Sequence, residues 1–170
     1  MDKYPQAEKV LIEYLTAKKL RRTPERFHLL RVVYGIDKHF TADELYEQMR
    51  GVFRVSRATV YSNLDLFVQI GLVSKFLVIN SVRYEKCLGM KPHYHMICTK
   101  CGEIKEFEDS KISSAIELAR CPRFIRHSYS LSVLGFCYKC QAKANRAKRK
   151  QQSEDESLQN KRKTTKNDKG

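Results

Sequence analysis

The chain is short of acid: 19 Asp and Glu stand against 33 Lys and Arg, a formal net charge of +14. That balance points to a polyanionic partner, most often nucleic acid. No apolar run reaches the length that crosses a membrane. The first residues, MDKYPQAEKV, lack the charged-then-apolar pattern of a secretory signal. Neither a Ser/His/Asp arrangement nor a phosphate loop suggests an enzyme, and no internal repeat is visible. The expectation is a cytoplasmic protein without membrane contact. There, six cysteines serve as metal ligands or free thiols sooner than as disulfides.

At 170 residues, 42% of them apolar, the chain can bury a core as one domain or two small ones. Residues 141–170 are the exception. They carry 10 Lys and Arg, 4 Asp and Glu and one large apolar residue, Leu158. A basic disordered tail is expected there, either a solubilising extension or a source of non-specific attraction to nucleic acid.

Ala7, Val10, Leu11, Tyr14 and Leu15 follow helical periodicity and predict a helix near 5–19. Thr23-Pro24 supplies a cap and a first-turn proline for a second helix, with Phe27, Leu30 and Val33 on its inner face. Thr41 and Glu44 form a capping box for a third helix at 42–50. Ser56 caps a fourth, whose Val60, Leu64, Phe67 and Val68 share a face and which Gly71 ends. After Gly71 the pattern becomes that of strands. Residues 72–79 and 82–85 read as a hairpin turning at Asn80-Ser81.

Helices followed by a hairpin are the order of a winged helix-turn-helix. Thr59, Tyr61 and Ser62 then lie on or beside the open face of the fourth helix, with Arg57 at its N-terminus to meet a phosphate. From residue 92 the texture changes again. HYHMIC and EIKEFE read as strands, KISSAIELAR as a helix and HSYSLSVLGFC as another strand. The fold class expected is α+β, a winged helix over 1–86, a hinge at 87–91 and a small α/β unit over 92–140.

Cys98-x-x-Cys101 and Cys137-x-x-Cys140 are knuckles 35 residues apart, with Gly102 and Gly135 beside them. Four thiolates satisfy the tetrahedral preference of Zn(II), and a closed site of this kind is structural. A redox pair competes, but such motifs open helices, whereas each of these sits at a predicted strand end. Cys87 and Cys121 are left over; Cys121-Pro122 is a weak signal for haem. His93 and His95, two apart on a strand, point to one side. Glu106, Glu85 and His39 are candidate partners, though spacing alone selects neither His39 nor Glu85. Such a nitrogen and oxygen set suits Fe(II), Mn(II), Zn(II) or Co(II).

The motifs LRRTPER, HFTADELYEQM, ATVYSNLDLF followed by GLV, RYE, HYHMICTKCGEIKEFED and LGFCYKCQ, in that order from Leu20 to Gln141, resemble the ferric uptake regulator (Fur) family of bacterial metal-dependent repressors. The resemblance implies a homodimer that binds a double-stranded operator, with an N-terminal winged helix and a C-terminal dimerisation domain. It places the structural zinc on Cys98, Cys101, Cys137 and Cys140. It places a regulatory Fe(II), Zn(II) or Mn(II) on His39, Glu85, His93, His95 and Glu106, a site joining the two domains. It also implies base contact by Tyr61 and minor-groove contact by Arg21. Glutamates at 85 and 106 are similar to the iron and zinc sensors, whereas the peroxide sensors carry aspartates. The alternatives are a zinc-stabilised nucleic-acid binder without metal sensing, or a regulator responding to haem or oxidation.

Three departures from the family pattern stand out. Pro92 and Tyr94 replace a His and an Asp that many members use in a third metal site, and Tyr129 replaces a last-strand His. His127 lies two residues earlier and could point the same way, but that site is expected to be missing. The hinge is longer by a residue or two. Ser62 stands where many members have an arginine, which implies a different operator preference.

Overall fold

A computed structural model describes residues 3–124 and 129–167. Four helices come first: α1 (Tyr4–Ala17), α2 (Pro24–Gly35), α3 (Ala42–Arg50) and α4 (Arg57–Gln69). A hairpin of β1 (Val73–Val78) and β2 (Ser81–Lys86) follows as the wing. Then come β3 (Tyr94–Cys98), β4 (Ile104–Phe107), α5 (Ser110–Leu118), β5 (Ser132–Gly135) and α6 (Tyr138–Asn167). The second sheet has the order β4-β3-β5, with β4 antiparallel and β5 parallel to β3.

Local chemistry accounts for the helix starts. The hydroxyl of Thr41 accepts from the Glu44 N–H at 3.1 Å, and the Glu44 carboxylate accepts from the Thr41 N–H at 2.6 Å, a complete capping box. Ser56 accepts from the Thr59 N–H at 3.1 Å. Thr23 precedes Pro24 in extended conformation, but its side chain makes no cap; the proline alone marks that start. The buried stripe of α2 is Leu29, Leu30, Val33 and Tyr34, with Phe27 half-buried. Gly71, at φ +73°, takes the left-handed turn after α4.

The main core lies among the four helices and the inner face of the wing, around Leu11, Leu30, Leu45, Leu64 and Phe67. The hairpin turns at Ile79-Asn80, one residue earlier than expected, because Val78 pairs with Ser81. Ile79 takes φ +49°, which β-branched residues rarely adopt. Its side chain is close to Gly102, where an added Cβ would lie 3.5 Å from Ile79 Cδ1.

Phe40 exchanges backbone hydrogen bonds with Tyr84 at 3.0 and 2.8 Å. This bridge adds a third, one-residue strand to the wing.

Where the composition suggests a disordered tail, the structure continues α6 through Asn167. No proline or glycine interrupts its 30 residues, and Ala, Lys, Arg, Gln and Glu are good helix formers. As the composition requires, the part of α6 up to Glu154 stays exposed or half-buried. Among the described residues, no helix is long and apolar enough to cross a membrane.

Candidate metal centre

Cys98 ends β3, Cys101 follows in the tight turn that Gly102 permits at φ +74°, and Cys137 and Cys140 flank the start of α6. The second knuckle thus opens a helix instead of ending a strand. The four sulfurs lie within 4.8 Å of one another. Cys101 and Cys137 Sγ are 3.7 Å apart, and a tetrahedral ion with bonds of about 2.3 Å to sulfur needs an edge of about 3.8 Å. The donor set therefore fits Zn(II). The Cys137 N–H donates to Cys98 Sγ at 3.3 Å; with help from neighbouring amides it lowers the Cys98 thiol to about 6. Cys140 is pushed up to about 12 by burial and by the surrounding thiols. A cation bound by these thiols would displace the protons they carry.

The second cluster draws on the segment entering α3 and on β2, β3 and β4. The Phe40–Tyr84 bridge puts His39 beside Glu85 on β2. On the other side, His95 of β3 pairs across the ladder with Glu106 of β4. His93 sits just before β3. His39 Nε2 lies 3.1 Å from His95 Nε2, 3.1 Å from Glu85 Oε2 and 3.3 Å from Glu106 Oε1. Glu85 Oε2 is also 3.1 Å from His93 Nε2 and 3.4 Å from His95 Nε2. One ring nitrogen can make only one good hydrogen bond, so this convergence of donor atoms exceeds what protons satisfy. It fits a divalent cation with nitrogen and oxygen ligands.

Surrounding groups aim these atoms. Ser74, opposite Glu85 in the wing, donates to Glu85 Oε1 at 2.7 Å. The carbonyl of Lys91 lies 2.9 Å from His93 Nδ1. Burial alone would raise the Glu85 carboxyl, but hydrogen bonds from His39, His95 and Ser74 hold it far below the carboxylate range. For His93, burial opposes the charged form, but the Lys91 carbonyl and Glu85 outweigh it and raise the imidazole.

Tyr94 is fully buried, its hydroxyl 2.7 Å from the Ser113 hydroxyl and its ring against Phe107. It therefore ties α5 to the sheet. His127 lies outside the described residues, and Cys121 is exposed.

On α4, Tyr61 and Ser62 are exposed; Ser62 Oγ donates to the Thr59 carbonyl at 3.1 Å. The Thr59 hydroxyl is 2.9 Å from that of Ser56 and so belongs to the cap. Arg57 is ion-paired with Asp43 and covers the Tyr46 ring. Arg21 is exposed, and its carbonyl accepts from Arg26 Nη1 at 2.7 Å. Sequence reasoning missed Asn63. This buried side chain accepts from Arg26 Nε at 3.2 Å and donates to the Thr59 carbonyl at 2.7 Å, fixing α4 on α2. A polar residue on the predicted inner stripe was its only signal.

Residues 17–132 match the model of the Ferric uptake regulator family. The chain belongs to that family. Cys137 and Cys140 lie beyond the matched span, so their place rests on the thiol geometry. The peroxide-responsive repressor PerR of Staphylococcus epidermidis is 32% identical over 129 residues, 74% of this chain and 85% of that protein. The ferric uptake regulator of Pseudomonas aeruginosa, solved with manganese, is 25% identical with a TM-score of 0.61, over 74% of this chain and 96% of that one. The regulator of Francisella tularensis, solved with iron, is 27% identical with a TM-score of 0.55, over 72% and 95%. This Fur-family chain shares its fold with those structures over 72–74% of its length.

Proposed function

We propose that the protein is a metal-responsive transcriptional repressor, a homodimer on duplex DNA. Cys98, Cys101, Cys137 and Cys140 hold a structural zinc, and His39, Glu85, His93, His95 and Glu106 take a second divalent cation, Fe(II), Mn(II) or Zn(II). One observation carries this reading. His39 and Glu85 come from the winged unit and the other three donors from the C-terminal sheet; the ligand atoms of His39, His93, His95 and Glu106 lie within 4.8 Å of one another, and Glu85 Oε2 lies 3.1–3.4 Å from the three imidazoles. A bound cation supplies positive charge that only this joined arrangement can surround. The donors therefore bind it best when the two halves are together, and metal selects that state.

Dimer formation is supported by the exposed apolar side chains Leu118, Val133, Leu134, Phe136 and Tyr138 around α5 and β5. DNA binding is supported by α4, which presents Tyr61 and Ser62 with Arg57 at its N-terminus. Arg57 reaches a phosphate by exchanging its Asp43 partner. The basic balance of the chain adds non-specific attraction.

The test is operator binding, on a duplex selected from random sequence, with the zinc retained and the second metal added or chelated. Affinity should rise on adding Mn(II) or Fe(II). Equal affinity in both conditions defeats the reading.

The likeness to the peroxide-responsive repressors of staphylococci favours a second reading, release from DNA on oxidation of a ligand histidine. The glutamates at 85 and 106 weigh against it. Stoichiometric peroxide added to the Fe(II)-loaded protein decides between them. Metal sensing predicts retained DNA binding and no oxygen adduct on His39, His93 or His95 by peptide mass spectrometry.

A further inference from the structure

The clustered side chains are not all held in the same way. The outer oxygen of Glu85 is fastened by Ser74, and the outer nitrogen of His93 meets the Lys91 carbonyl. Ligand histidines almost always have such a partner, which fixes the ring. Among the described residues His95 has none: it is 2% exposed, and its buried Nδ1 meets no hydrogen-bond partner. An imidazole can turn broadly about its last torsion, so something else must hold this one.

The neighbour that does so is Phe76. Its ring stacks on His95 with centroids 4.2 Å apart and planes 16° from parallel. The same ring meets His39 edge-on, at 5.1 Å and 86°. Phe76 belongs to β1 of the wing, His95 to β3, and His39 to the segment entering α3. Together with Val78, Phe76 also packs against Ile97 of β3 and Ile104, the small apolar contact between wing and C-terminal sheet.

We propose that Phe76 is a positioning residue for this cluster, an aromatic wall that sets the planes of His39 and His95. Docking of the wing on the C-terminal sheet and assembly of the donor set are then one event. An aliphatic side chain of similar bulk would fill the space but leave the His95 ring free to turn. The proposal rests on the reading that a divalent cation binds these donors.

The experiment uses full-length, zinc-retaining protein titrated with Co(II), whose visible bands report affinity and ligand geometry. Phe76→Leu removes the flat ring, Phe76→Tyr keeps it, and Val78→Ala loosens the same apolar contact without touching a histidine. Phe76→Leu is expected to weaken Co(II) by on the order of tenfold or more, the range for groups that orient ligands. It should also change the band shape, while zinc stays at one per chain. Phe76→Tyr should restore both, and Val78→Ala should lower the thermal midpoint with little change in Co(II) affinity. Should Phe76→Leu lose its zinc or its helical circular dichroism, Phe76→Met, a more adaptable side chain, is read in its place.

Wild-type affinity and spectrum in the variant lacking the ring overturn the proposal. Equal weakening by Val78→Ala does the same, since packing alone would then explain it. If the wild-type protein binds no Co(II) beyond its zinc site, the cation reading itself fails, which is a distinguishable result.

Discussion

His39 Nε2 lies 3.1 Å from His95 Nε2 although 56 positions separate them in the chain. One imidazole hangs from the segment leading into α3 and the other from the central strand of the C-terminal sheet. Their meeting joins the helices and wing to the unit that carries the cysteines.

Removing either partner should therefore uncouple metal from DNA. His39→Ala is expected to weaken the second divalent ion by at least on the order of 100-fold, since even groups that only orient ligands are worth 10–100-fold. Zinc per chain should stay unchanged by elemental analysis, and operator affinity measured by fluorescence anisotropy should no longer respond to Mn(II).

Loss of a thiol should have a different signature. Structural zinc in small domains contributes roughly 10–16 kcal/mol of binding free energy that is also folding free energy. Cys137→Ser should therefore release the zinc, abolish the dimer in sedimentation and lower the thermal midpoint. Added Mn(II) should not rescue it.

The α3 cap gives a pH prediction. Burial tends to raise the Glu44 carboxyl, but its hydrogen bonds from Thr41 and the charge of Arg83 lower it overall. A carboxylate lowered on folding stabilises the protein above its unfolded value, the usual 4.5. That stabilisation is lost as the pH falls through the folded value. Thr41→Ala should cost about 1 kcal/mol near neutral pH. The gap between wild type and Glu44→Ala, which lacks the titrating carboxylate, followed by urea unfolding, should narrow below pH 4.5. A constant gap would show that Glu44 contributes nothing to the cap.

On α4, Tyr61 is 46% exposed and free to reach a base edge. Tyr61→Ala should cost about 1–3 kcal/mol of discrimination at one operator position. Arg57→Ala should instead weaken all duplexes alike and reduce the salt slope by about 1. Competition assays against single-base operator variants, repeated at two salt concentrations, separate the two.

Much of this molecule was legible in its sequence because the signals are local. The capping box of Thr41 and Glu44, the Ser56 cap, the strand pattern after Gly71 and the two Cys-x-x-Cys knuckles each lie within a few residues. They follow from helix period, strand alternation and the donor needs of zinc. His93 and His95 could be paired for the same reason, being neighbours on one strand.

Other features needed the folded chain. His39 joined the cluster only through the Phe40–Tyr84 bridge, and Glu106 only through its register opposite His95. The roles of Asn63, Ser74 and Phe76 depend on partners from other elements. Helix propensity, not composition-based disorder, governed α6. Sequence by itself determined the family, the caps of α3 and α4 and the two Cys-x-x-Cys knuckles, whose causes act over a few residues. Only the tertiary structure decided which side chains surround one point, because strand pairing and packing bring distant residues together in ways no short window of sequence contains.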